Sequence, residues 1–467
     1  MPVAPRGVTR RRLLELAAAT PLAACASTPD VQAYLDGDGD GGLKRAILGA
    51  RGPLSQSERG AVLAGLPPDL SADALQRQFA LQQALSESPL VTGNTAAILR
   101  DGAQALPAMF AAMHSAGDHI NLEYFIFEDV ACNGETLSGL LLARLRAGVA
   151  VNIIYDAFGS AGTPPALFQT LHAAGARVVE YNPLDPLKVK VGWSPNDRDH
   201  RKIMVVDGSI GFTGGLNLSK AYENPPSAGI PGDGDMNHAF WRDTAMRIDG
   251  PAVAELQKLF FATWQAQKGP PVAPARYFPP LRRTGVQTIR IIGSAPGDER
   301  PLYYISLMTA VLSAEQRVWL SSGYFVPPHE EREDLGKTAR AGIDVRIVVP
   351  SFTDVQEAIY AGRATYGDLL ESGAHIYEVQ NAVLHSKLTV VDGVWSVIGS
   401  SNLDRRSVVF NNEVDAIVLG RETAAQVEAI LRADMVASHE ISLARWRQRS
   451  FQERWRELKA RVWQYWM

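Results

Sequence analysis

Two α/β domains of one design, related by a pseudo-two-fold axis and packed face to face with a site between them, are the fold predicted for this 467-residue chain. Three observations predict it: a run of motifs that occurs twice in the same order, matching spacings inside the two runs, and apolar segments that alternate with helical ones. The first run is Leu122-Glu123-Tyr124-Phe125-Ile126-Phe127, then Arg146 to Ile154, then His200-Arg201-Lys202 leading to Asp207-Gly208. The second is Ser322-Gly323-Tyr324-Phe325-Val326-Pro327, then Arg340 to Val348, then His385-Ser386-Lys387 leading to Asp392-Gly393. Gly148, Gly175, Gly342 and Gly373 predict helix ends, because a helix commonly stops at a residue in the left-handed region.

Residues 1–25 read as an export signal. Thr9-Arg10-Arg11-Arg12-Leu13-Leu14 has the twin-arginine pattern, and the modestly apolar run after it closes on Leu22-Ala23-Ala24-Cys25, which resembles a lipobox. Cys25 is the predicted lipidation site, which places the protein in a bacterial cell envelope as an anchored lipoprotein; the alternative is an N-terminal extension on a cytoplasmic, membrane-associated enzyme. Cys25 and Cys132 are the two cysteines, so no disulfide framework is expected. Residues 26–88 read as a tether and N-terminal helices. Their Asp36-Gly37-Asp38-Gly39-Asp40-Gly41 run fails as a calcium loop, since Ile47 stands where a bidentate glutamate is required. The first domain is expected over 89–268, a stiff Pro-rich linker over 269–284, the second domain over 285–440 and an amphipathic tail over 441–467. In that tail, residues from Trp446 to Trp466 mix cationic and aromatic side chains at helical spacing, which suits a membrane surface; the competing reading is a helix packed on the domain with a charged outer face. Lys+Arg number 46 against 50 Asp+Glu, a net charge of -4, which lacks the basic excess of a phosphate-backbone binder. No nucleic-acid partner is expected.

In each run a histidine and a lysine sit two apart at the start of an apolar stretch, so His200 with Lys202, and His385 with Lys387, leave one face of a strand. Asp207 and Asp392 then supply turn chemistry and are read as structural. Asn217 follows His200 by 17 residues, and Asn402 follows His385 by 17. A hairpin returns its second strand beside the first, which brings each asparagine near its histidine. The small residues Gly215 and Ser400 are expected to leave room for a ligand oxygen at the backbone. An ammonium beside each histidine repels a divalent cation, whereas two ammoniums and two amides suit phosphate oxygens. Neither metal nor cofactor is predicted. His238 reads as a surface residue, and Glu123, on an apolar strand, needs a partner, either a site lysine or an edge position.

His-x-Lys-x4-Asp occurring twice, trailed by Gly214-Gly215-Leu216-Asn217 and Gly399-Ser400-Ser401-Asn402, resembles the paired signature of the phospholipase D superfamily. Glu123 to Asp129, Tyr155 to Ser160, Tyr324 to Pro327 and Gly399 to Ser407 narrow the likeness to cardiolipin synthases, over residues 88 to 467. The resemblance implies a phosphohistidine mechanism, with His200 as nucleophile, His385 as general acid and then base, and Lys202, Lys387, Asn217 and Asn402 on the non-bridging oxygens. Neither motif aspartate is placed to orient a site histidine, since each lies at the far end of its strand. Asp243 and Glu413, which follow the hairpins, are the better candidates, and the resemblance with the two-fold arrangement implies a crossed scheme, Glu413 holding His200 and Asp243 holding His385. The implied reaction moves a phosphatidyl group between phosphatidylglycerol molecules. Hydrolysis by water in the same site is the alternative. A catalytically inactive lipid-binding lipoprotein is a third reading, against which both motifs stand intact. Synthases of this type often begin with membrane-spanning helices, and the lipoprotein-like signal stands in their place here.

Overall fold

The computed structural model describes residues 88–460 apart from 186–192, 233–234, 237 and 299–300, together with the backbone of two short strands, Leu48–Gly49 and Gly52–Pro53. Cys25 and the rest of the predicted signal, the remainder of 26–88, and residues 461–467 of the tail lie outside the described residues.

In the first half, β1 (Val91–Arg100), α1 (Asp101–His114), β2 (His119–Tyr124), α2 (Leu137–Arg146), β3 (Ala150–Asp156), α3 (Pro165–Ala173) and β4 (Arg177–Tyr181) precede the hairpin β5 (Lys202–Val206) and β6 (Ile210–Gly214). β7 (Thr244–Asp249) and α4 (Val253–Ala266) complete it. The second half repeats the plan: β8 (Gln287–Ser294), α5 (Leu302–Leu312), β9 (Arg317–Ser321), α6 (His329–Arg340), β10 (Asp344–Pro350), α7 (Gln356–Arg363), α8 (Tyr366–Glu371) and β11 (His375–Val379). Its hairpin is β12 (Leu388–Val391) and β13 (Trp395–Gly399), followed by β14 (Asn411–Leu419), α9 (Arg421–Val436), α10 (Leu443–Arg447) and α11 (Phe451–Ala460). As expected, Gly148, Gly175, Gly342 and Gly373 sit just past α2, α3, α6 and α8, with φ of +86°, +108°, +89° and +94°.

The strand order is β4-β3-β2-β5-β6-β7-β1 in one half and β11-β10-β9-β12-β13-β14-β8 in the other. The innermost strands β1 and β8 pair with each other, Asn94 opposite Gln287 and Val91 opposite Ile289. One order is the mirror of the other about that junction, and the three outer strands of each half run parallel while the inner ones alternate. The predicted pseudo-two-fold α/β architecture is the observed one.

Alternation along β5 shows how the core positions the site. Met204 and Val206 enter the first half's own core, whereas Ile203 and Val205 enter a core shared with Val414, Ala416 and Val418 of β14 and Ile289 and Ile291 of β8. The joint between the halves is therefore an apolar, close-packed interior, which holds residues of the two halves in fixed register.

Asp207 and Asp392 close both hairpins from the left-handed region, with φ of +50° and +51°. Asp207 accepts from the backbone N–H groups of Gly117, Asp118 and His119 at 2.8, 2.8 and 2.9 Å. Asp392 does the same for Glu315, Gln316 and Arg317 at 2.9, 2.8 and 3.0 Å. Each aspartate thereby pins the N-terminal end of the strand beside its own hairpin. Asp207→Ala is expected to lose about 2–3 kcal/mol of stability, since it strands three donors and puts alanine at positive φ. Thermal melts should show the loss while turnover per folded molecule stays within about threefold. Lost turnover at unchanged stability would contradict this structural role.

Candidate active site

His200 and His385 face each other across the joint, each just outside the start of its hairpin strand. Both are largely buried, 8% and 6% exposed. His200 Nδ1 lies 3.0 and 2.9 Å from the two carboxylate oxygens of Glu413, and His385 Nδ1 lies 2.7 Å from Asp243 Oδ2. Both carboxylates are wholly buried. The crossed geometry expected from the sequence is the one present, each histidine backed by an acid from the other half. Backbone bonds carry the crossing, since His200 N donates to Asn412 O and His385 N to Arg242 O. With Nδ1 turned to a carboxylate in both cases, Nε2 is the ring nitrogen left for chemistry.

Lys202 and Lys387 lie on the same faces as their histidines, and each ammonium donates to the carbonyl of its own histidine, Lys202 at 2.6 Å. Asn217 Oδ1 accepts from Ile126 N and Asn402 Oδ1 from Tyr324 N, both at 3.2 Å, so the amide end left for a ligand is the NH2 donor. These two bonds set the alignment of the repeats. Lys202 pairs across the ladder with Tyr124, while Leu388, one past Lys387, pairs with Ser321. Ile126 is thus the counterpart of Tyr324.

Gly215 and Ser400 also need correction. They do not open the backbone to a ligand oxygen. A Cβ on Gly215 would stand 2.3 Å from Asp243 Oδ1, so glycine makes room for the orienting carboxylate. Ser400 donates to Glu413 Oε2 at 2.5 Å and accepts from Val414 N at 2.9 Å. Glu123, too, is neither at an edge nor with a site lysine. It is buried on β2, accepts from Thr263 Oγ1 at 2.7 Å and lies 3.8 Å from Arg201. Arg201, between the motif histidine and lysine, points the other way and donates to Glu413 O and Ser294 O at 3.0 and 2.8 Å. It fastens the segment carrying His200 to the strand carrying Glu413. His238, 76% exposed beside Asp235, is on the surface as expected.

Burial pushes both imidazoles toward the neutral form. His200 is held well below the usual histidine range, first by desolvation, then by Lys202 and Lys387; His385 is lowered less, because Asp243 opposes the shift. The two acids differ. Burial raises Glu413 to about 7, whereas His385, Lys387 and Tyr222 outweigh burial and hold Asp243 below its ordinary value. Burial likewise pushes Lys202 down to about 7 and Lys387 to about 8. A site that strains to shed cationic charge is one that an anion between the two ammoniums would stabilise.

Three groups at the site were not singled out from sequence. Tyr222 Oη donates to Asp243 Oδ2 at 2.7 Å. The Phe125 ring meets His200 edge-on at 5.2 Å, and Trp241 meets His385 at 5.5 Å. A signal for Tyr222 existed: it follows Asn217 by five residues as Ser407 follows Asn402, and Ser407 lies beside Glu413 as Tyr222 lies beside Asp243.

Two facing His-x-Lys pairs, each imidazole backed by the other half's carboxylate, are the arrangement of a phosphodiester-exchanging enzyme of the phospholipase D type. Residues 109–224 and 307–435 match the family described as cardiolipin synthase, phospholipase D-like domain. A cardiolipin synthase of Geobacillus kaustophilus is 31% identical over 81% of this chain and 73% of its own length. Another, of Listeria monocytogenes, is 30% identical over 80% of this chain and 75% of its own. Phosphatidylserine synthase of Haemophilus influenzae shares the fold, with a TM-score of 0.59 at 12% identity over 83% of this chain and 96% of that one. The chain belongs to the cardiolipin synthase family of the phospholipase D superfamily, and it is an enzyme of that superfamily.

Proposed function

We propose that the enzyme transfers a phosphatidyl group from one phosphatidylglycerol to a hydroxyl of another, releasing glycerol. The observation that carries this reading is the pair of crossed contacts, His200 on Glu413 and His385 on Asp243, in a chain whose relatives are cardiolipin synthases. His200, the more strongly neutralised imidazole, attacks phosphorus through Nε2. His385, which the ionised Asp243 favours in its protonated form, protonates the departing glycerol oxygen and then accepts the proton of the incoming hydroxyl. Lys202, Lys387, Asn217 and Asn402 stabilise the non-bridging oxygens as charge builds on them. With two carboxylates balancing two ammoniums, the single negative charge of a phosphodiester is met by the protonated His385. Incubation of purified protein with phosphatidylglycerol vesicles, followed by mass spectrometry, tests the reading. Cardiolipin and glycerol are the expected products; phosphatidic acid alone would replace transfer by hydrolysis.

The proposed partner surface is a membrane. No helix among the described residues is long and apolar enough to cross one. Two other features support attachment. One is the signal ending at Cys25, for which we keep the reading of an exported lipoprotein. The other is α11, which is packed with its apolar stripe outward. Glu457 and Ala460 are buried, Glu457 paired with Arg449 at 3.1 Å and Ala460 against Val326 and Ala361. At about 100° per residue, Phe451, Trp455 and Leu458 fall on the opposite face, where they are 79%, 49% and 51% exposed. Arg454 and Lys459 flank that stripe, and Lys459 lies over the Trp455 ring at 5.5 Å. An apolar stripe flanked by cations supports the interfacial reading over a wholly charged outer face. Replacing Phe451, Trp455 and Leu458 together by glutamine should weaken sedimentation of unlipidated protein with anionic vesicles by about tenfold or more. Unchanged sedimentation would remove α11 from the interface.

A further inference from the structure

Tyr222 occupies a place where the two halves are built alike and equipped differently. It lies in the short turn Lys220–Glu223, buried, 4% exposed. Its counterpart Ser407 meets Glu413, the carboxylate behind the nucleophile, whereas Tyr222 meets Asp243, the carboxylate behind the other histidine. The phenol donates to Asp243 Oδ2 at 2.7 Å and its oxygen lies 3.2 Å from His385 Nδ1. That same Oδ2 receives the Nδ1 proton at 2.7 Å, while Oδ1 is occupied by Thr244 N at 2.7 Å. Two donors therefore compete for one oxygen. A carboxylate that gives part of its charge to a phenol O–H holds a neighbouring imidazolium less tightly. Trp241 stands edge-on to the ring at 6.1 Å, and the Tyr222 backbone packs so closely on the head of α1 that a Cβ on Gly102 would come within 1.9 Å of the Tyr222 carbonyl oxygen.

We propose that Tyr222 is a positioning residue that divides Asp243 between two donors, so that His385 releases its Nε2 proton to the leaving oxygen instead of retaining it. The proposal rests on the reading of His385 as general acid given above. As the bond from His200 Nε2 to phosphorus forms, the bond from phosphorus to the glycerol oxygen breaks, its electron pair stays on oxygen, and that oxygen takes the His385 proton. In the second half-reaction the incoming hydroxyl oxygen bonds to phosphorus, the N–P bond returns its pair to His200, and the hydroxyl proton passes to His385. An Asp243 undivided by Tyr222 makes His385 a stronger base and a poorer acid. The other groups around His385 are Lys387 two residues along the chain, Lys202 and His200 opposite, and the Tyr324 ring at 6.2 Å.

Tyr222→Phe keeps the ring and removes the donor. Two substrates separate tuning from mere packing: phosphatidylglycerol, whose glycerol needs a proton to leave, and phosphatidyl-4-nitrophenol, whose nitrophenolate does not. Tyr222→Phe should slow turnover of phosphatidylglycerol about tenfold, leave the nitrophenolate burst within about threefold of wild type, and move the basic limb of the kcat profile upward by about half to one pH unit. Equal losses on both substrates, or an unmoved limb, overturn the proposal. Site-specific 3-fluorotyrosine at position 222 preserves the packing and donates more strongly, so it should move the limb downward; an upward shift or none also overturns it. His385→Ala serves as the control on the parent reading. It should lose phosphatidylglycerol turnover far more than the nitrophenolate burst, and equal losses there would instead refute His385 as the acid.

Discussion

His200→Ala is expected to lose at least about 10⁴-fold in turnover and to form no phosphoenzyme with any leaving group. His200 Nδ1 is committed to Glu413 at 2.9 Å, so Nε2 carries the bare lone pair, and burial keeps that nitrogen unprotonated. Alanine removes the only group proposed to bond phosphorus. His385→Ala differs in kind, because the nucleophile survives and a labelled enzyme can still accumulate from a substrate whose leaving group needs no proton. The acid limb of kcat/KM should report His200. Its folded pKa is lowered well below 6.5, so the nucleophile stays neutral as pH falls past that value, and rate is lost only at the lower pKa. An acid limb above pH 6.5 would contradict a buried neutral nucleophile.

The second large effect falls on the orienting acids. Glu413→Gln and Asp243→Asn should each reduce kcat by about 10² to 10⁴ while the fold persists, because an amide can offer Nδ1 an NH2 donor and so select the wrong tautomer. Glu413 is held by Ser400 at 2.5 Å and by Asn411 Nδ2 at 3.0 Å, so the amide would be seated in the same place with the wrong polarity. Steady-state kinetics with circular dichroism checks this. A loss within about threefold for either variant would mean that the histidine is oriented by something else.

How much of this was legible in the sequence depended on what was repeated. The domain plan, the two histidines and lysines and the two asparagines were readable because equal spacing survives in both halves. Asp207 and Asp392 were readable as turn formers because the left-handed region selects for such residues. The crossed pairing of Asp243 and Glu413 came from family likeness and two-fold logic, since the residues lie 142 and 213 positions from their histidines. What failed was local. Gly215 and Ser400 looked like space for a ligand because small residues often are; their size serves the carboxylates behind the histidines instead. Tyr222 escaped notice because its counterpart is Ser407, and a difference between halves leaves no repeat to read.

The nucleophile is the atom that holds the phosphatidyl group between the two half-reactions. Acid quench of the wild-type enzyme with phosphorus-labelled phosphatidylglycerol, and of His385→Ala with labelled phosphatidyl-4-nitrophenol, whose leaving group needs no proton, followed by digestion and peptide mapping, identifies it. Label on the peptide containing His200 is the predicted result, and label on His385 of the wild-type enzyme would contradict the assignment of the two halves.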